Sequence, residues 1–123
     1  MSGPIHVTLA ATNGALAEKY AAFVAASEGA LDAGLVALIR QAVAAVHGLG
    51  AAPDETALDE ATQTALAYAR RMPFEHTAIS DAEAAAVVAH LGEAGFVAFS
   101  VVTALADAEC RAALVGLPEL AGA

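Results

Sequence analysis

The chain has 123 residues, 59% of them hydrophobic but only 5% aromatic, and its 14 acidic and 5 basic residues give a net charge of −9. A chain of this length makes one domain with a modest core, and its acidic surface argues against nucleic-acid and anionic-membrane partners. Much of the hydrophobic fraction is alanine, the strongest helix former, while the residues that favour strands are sparse and scattered; the composition therefore predicts an all-α protein.

The opening stretch, "MSGPIHVTLAATNG", lacks a basic segment followed by a continuous apolar run, so no signal peptide is expected and the cytoplasm is the expected compartment. The first predicted helix runs from about Gly14 to Ser27, with Asn13 as its N-cap and Gly29 as its stop. Leu16, Tyr20, Phe23 and Val24 recur at helical spacing and read as its apolar face.

The second predicted helix runs from about Ala33 to His47, capped by Asp32 and stopped by Gly48. Its stripe is Leu35, Ile39, Val43 and Val46, widened by Val36 and Leu38. The loop "GLGAAPDE" breaks the chain with two glycines and a proline. A third helix is expected from about Glu55 to Arg71, entered through Pro53 and Asp54 and ended by Pro73. Leu58, Ala61, Ala65, Leu66 and Ala69 form its inward face. "SDAE" then sets a capping box from Ser80 to Glu83, opening a fourth helix that ends near Leu91 and Gly92. The fifth runs from about Glu93 to Leu114, with Phe96, Phe99, Val102 and Leu105 as its apolar face, and Gly116 and Pro118 close it. Its uncharged run "AGFVAFSVVTALA" is too short for a membrane span of about 20 residues and reads as a buried core helix.

The order of these pieces carries a resemblance. "LDAGLVALIRQAVAAVHG" is followed by "LDEATQTALAYARRM", then by "AISDAEAAAVVAHLGEAGFVAFSVVTAL" and a closing "GLPEL". From about Leu31 to Leu120 the chain resembles the carboxymuconolactone decarboxylase family, whose other branch is the alkylhydroperoxidase D-like proteins. The resemblance implies a bundle of about five to six helices of alkylhydroperoxidase D-like type. It also implies assembly, since the family's subunits form trimers or hexamers. The peroxidatic branch uses a Cys-x-x-Cys pair, a glutamate on the preceding helix and a histidine one turn later. The resemblance places Ala37 at that glutamate, Leu49 and Ala52 at the cysteines and Thr56 near the histidine. None of these carries a thiolate or moves a proton. Most of the helix that bears the motif is also missing, and its loss is expected to uncover part of the faces carrying Val43, Val46 and Leu66.

Candidate chemistry is thin. His47, at the end of the second helix, is either an acid or base lining a residual pocket or a histidine favoured there by the helix dipole. Arg40, seven residues earlier, either binds a carboxylate ligand or forms an ion pair; the ion pair is preferred. Tyr68 is the remaining pocket candidate. His76 and His90 lack metal-ligand spacing, so neither metal nor cofactor is expected. Cys110 cannot form an internal disulfide and reads as a small buried hydrophobe. The acidic tract Asp54, Glu55, Asp59 and Glu60 suits a helix start better than a catalytic carboxylate pair. No catalytic residue is assigned. The expected function is that of a non-catalytic helical homo-oligomer, at least a dimer, without thiol peroxidase chemistry. The alternative is a small-molecule enzyme of decarboxylase or isomerase type, with an interhelical pocket near His47. Its partners are then itself and, in the alternative, a small-molecule ligand.

Overall fold

A computed structural model describes residues 3–122, and among them the secondary structure is entirely helical. Helices α1 (Pro4–Thr12), α2 (Gly14–Gly29), α3 (Ala33–Val46), α4 (Glu60–Glu75), α5 (Asp81–Leu114) and α6 (Leu117–Leu120) follow one another, with a short 3₁₀ turn at His76–Ala78.

The caps explain most boundaries. Asn13 is both the end of α1 and the N-cap of α2: its backbone N–H donates to Leu9 O, while its side chain accepts from the Leu16 N–H at 3.1 Å. Asp32 accepts from the Leu35 N–H to open α3. At the other end of α3, Gly48 adopts φ 75°, a conformation that costs glycine little. The Gly48 N–H bonds back to Ala45 O and the Leu49 N–H to Ala44 O, the paired bonds of a Schellman closure. The backbone of Leu49 thus closes helix α3.

Ser80 and Glu83 form the expected capping box of α5. The expected break at Gly92 is also present. Its φ 75° and ψ 169° are non-helical, in a region essentially reserved for glycine. The fourth and fifth expected helices are therefore two arms of α5, bent at Gly92.

Helices α3, α4 and α5 pack against one another around the core. Ile39, Ala42 and Val43 from α3, Leu66 and Ala69 from α4 and Phe99 from α5 are fully buried there. Helix α2 packs on α5 and on α1, and α6 packs on α1 and α5.

Five expectations are corrected. Helix α1 was not anticipated, because nothing in Pro4–Thr12 marks one side as apolar. Helix α4 starts at Glu60, not near Glu55. Asp54 accepts from both the backbone and the hydroxyl of Thr56, a local turn that competes with helix, and Asp59 caps α4 instead by accepting from Thr62. Pro73 lies inside α4, which runs on to Glu75; so near the C-terminus the missing N–H removes one bond of the last turn without ending the helix. Finally, Val43 and Leu66 are fully buried, and Val46 is half-buried. The packing of α3, α4 and α5 against one another covers these faces, which were expected to be exposed.

The inward face of α2 also differs. Ala17 and Val24 are buried and Tyr20 is half-buried, whereas Leu16 and Phe23 face solvent, Phe23 at 53% exposure. In α5 the inward side holds Phe99, Val102, Thr103 and Ala106. The opposite side is exposed but still apolar, with Val97 63% exposed. By length and composition alone α5 is long and apolar enough to cross a membrane. It is thus a core helix on one side only.

Candidate functional sites

Two constellations combine polar groups with unusual surroundings. One is centred on His47, at the C-cap of α3. Its side chain is only 1% exposed, and Nε2 lies 2.6 Å from Asp107 Oδ1 on α5. An ionised carboxylate only accepts, so the ring proton sits on Nε2. The Arg111 Nε donates to both Asp107 oxygens, at 3.0 and 3.1 Å, and its Nη2 donates to Pro73 O at 2.7 Å. The Phe74 ring meets His47 edge-on at 4.9 Å and carries the Arg111 guanidinium at 5.1 Å from its centre, an arrangement that favours a cation. His47, Asp107, Arg111 and Phe74 therefore tie α3, α4 and α5 together at one end of the bundle. Each polar group already has a protein partner, which is the geometry of a structural clamp.

The second constellation is a groove of about 770 Å³ between α2 and α5, open to solvent along one side. Alanines make the room: Ala21 and Ala25 from α2 and Ala106 from α5 line it, together with Val24 and Val102. One end is closed by Tyr20 and Glu109, whose hydroxyl and carboxylate are hydrogen-bonded. Burial, and then this bond, push the Tyr20 phenol above its usual range. Glu109 also receives the Ile5 N–H at 3.5 Å, supplying from α5 the cap that Gly3 cannot give α1. The other end is closed by the ion pair of Arg40 with Glu28.

Of the three sequence candidates, only Arg40 lines this groove, and it makes the ion pair preferred for it. His47 belongs to the clamp. Tyr68 belongs to the core, packed edge-on against Phe96 and Phe99 with ring centres 5.7 and 5.6 Å apart. The structure does not bring the three together. The sequence reading missed Tyr20, Glu28 and Glu109 as groove residues. By spacing, Tyr20 reads as part of an apolar face with Leu16, Phe23 and Val24. Spacing gives no sign of the pairing of Tyr20 with Glu109, because it spans 89 positions.

Cys110 lies on the groove wall, half-buried. Burial, then the nearby Asp107 and Glu109 carboxylates, push its thiol up, the opposite of what a nucleophilic thiolate needs. Among the described residues no group of three or more His, Cys, Asp and Glu side chains is placed to hold a metal ion. Ala37, Leu49 and Ala52 are exposed, and Thr56 is engaged by Asp54. Compared with known family models, curated proteins and solved structures, the chain matches none of them.

Proposed function

We propose that this protein is a self-associating helical scaffold of carboxymuconolactone decarboxylase-like, alkylhydroperoxidase D-like descent that carries no thiol peroxidase chemistry. The observation that supports self-association is the outer side of α5. Val97, Val101, Ala104 and Ala108 recur along it at helical spacing, each exposed or half-exposed, and no charge interrupts the chain between Glu93 and Asp107. A soluble helix ordinarily turns charged residues to that side. Small residues let a second helix approach closely, and a two-fold axis brings the same stripe of another copy against it.

The absence of peroxidase chemistry rests on the lone Cys110, whose thiol is raised rather than lowered. The alternative, an enzyme of decarboxylase or isomerase type acting through His47, receives less support. That ring is only 1% exposed, enclosed by Asp107 and Phe74.

Val97→Lys tests the scaffold reading. The substituted side chain lies one turn after Glu93, so the pairing favours the helix, while its charge falls in the middle of the proposed seam. The variant is expected to remain folded by circular dichroism and to elute later than the wild type on size exclusion. Co-elution of the two would contradict the assignment of this face. In parallel, thiol-dependent consumption of an alkyl hydroperoxide is expected to be absent; turnover that disappears in Cys110→Ser would overturn the second half of the reading.

A further inference from the structure

We infer that the groove between α2 and α5 is a binding site for a small organic cation with an apolar body, an alkylammonium whose head group sits at Glu109. The inference is independent of self-association and of peroxidase chemistry. Its first support is shape. Ala21, Ala25 and Ala106 stand where larger side chains would fill the gap between α2 and α5, and the space they leave is about 770 Å³, in the size range of small-molecule sites.

Its second support is the distribution of polarity. The middle of the groove is lined by Val24, Val102 and Ala106 and gives an alkyl chain an apolar bed. The polar groups are confined to the two ends. Tyr20 and Glu28, which mark those ends, are eight residues apart on α2, so the bed is about 12 Å long.

Charge decides between cation and anion. Glu28 and Glu109 outnumber Arg40, and the chain as a whole carries −9. Arg40 is already paired with Glu28, so the Arg40 end offers an incoming anion little. Glu109 is different. Its Oε1 accepts from Tyr20, and its Oε2 lies against Gly3 and accepts a long bond, 3.5 Å, from the Ile5 N–H, so each oxygen holds one partner. A carboxylate has about four lone-pair sites, which leaves capacity for an ammonium donor from the groove side. A protonated amine there makes charge-assisted hydrogen bonds, and its chain lies along the alanine-lined bed. Anions meet the Glu109 charge at the same place.

Cys110, on the groove wall, supplies the readout. The rate at which Ellman's reagent labels it is measured in the folded protein with hexylamine, hexanoate or hexanol at matched concentrations. Hexylamine is expected to slow labelling severalfold, hexanol less, and hexanoate not at all. Glu109→Gln removes the charge while its carbonyl oxygen still accepts from the Ile5 N–H and its NH2 donates to the Tyr20 hydroxyl oxygen; it is expected to weaken hexylamine protection about fivefold or more, the difference between a charged and a neutral hydrogen bond. Ala25→Leu, at an exposed position on the groove wall, is expected to fill the bed and abolish protection while the helical spectrum is unchanged. Equal protection by hexanoate and hexylamine would overturn the inference. So would labelling unaffected by hexylamine, or full protection retained in Ala25→Leu.

Discussion

At the scale of single residues, the chain's polar side chains serve helix ends and clamps. Glu83 pairs with Arg71 and accepts the Ser80 N–H, and these contacts, the arginine first, hold its carboxyl below the ordinary 4.5. Asp59, through the Thr62 hydroxyl and then its backbone N–H, lies below the ordinary 3.8. A carboxylate depressed in the folded state contributes stability that is present above its unfolded pKa and lost as pH falls through the folded value. The urea midpoint is therefore expected to be level near neutrality and to fall as the pH drops below these ordinary values. Glu83→Gln is expected to flatten part of that fall, measured by urea titrations at successive pH values. His47 gives a second residue-scale prediction. Truncating this buried ring leaves Asp107 without its nearest donor, so His47→Ala is expected to cost about 1–3 kcal/mol in urea denaturation. A variant as stable as the wild type would show that the clamp holds nothing.

Caps and stops were the residue-scale features most legible in the sequence. Asn13, Asp32 and Ser80 stand directly before helical runs, and their short acceptors reach N–H groups that nothing else satisfies. The clamp was not legible, because His47 and Asp107 are 60 positions apart and neither has a distinctive neighbour pattern.

At the scale of elements, legibility follows asymmetry. Helix α3 has a strong apolar stripe, and Leu35, Val36, Ile39 and Val43 are buried as expected. Helix α2 is surrounded by alanine, so its sequence only weakly decides which side turns inward; the packing partner on α5 selects Ala17 and Val24 and leaves Phe23 outside. Helix α1 has no apolar face to read, and its anchor, Glu109, comes from 104 residues away. The early start assigned to α4 failed for a local reason, the Asp54–Thr56 turn. The bend in α5 yields a prediction at this scale. Gly92 has a backbone conformation that a side chain strains, so Gly92→Ala is expected to destabilise the protein by about 1–3 kcal/mol. An unchanged denaturation midpoint would mean that the two arms straighten without cost.

At the scale of the whole molecule, the described chain closes its own core and leaves apolar surface outside it, including a long stripe on α5 and Leu16 and Phe23 on α2. The interior around Ile39, Leu66 and Phe99 is fully buried, so association is not needed to complete it. In the proposed scaffold, association would hide the outer side of α5. Fully burying a valine such as Val97 contributes about 1.5 kcal/mol or somewhat more, before the costs of association. Several such residues are needed for a stable pair, and the stripe of Val97, Val101, Ala104 and Ala108 supplies a continuous set. The sequence pointed to association through an excess of apolar helix face, the assemblies of the resembled family and the expected exposure of Val43, Val46 and Leu66, of which Val43 and Leu66 are fully buried. The composition supported an excess of apolar surface, but only the packing of α3 and α4 against α5 decides where that surface lies.

The most direct test is sedimentation velocity of the wild-type chain across the micromolar range. The scaffold account predicts a concentration-dependent species at twice or a higher multiple of the 12.2 kDa monomer mass. A single species at the monomer mass throughout the range would contradict it.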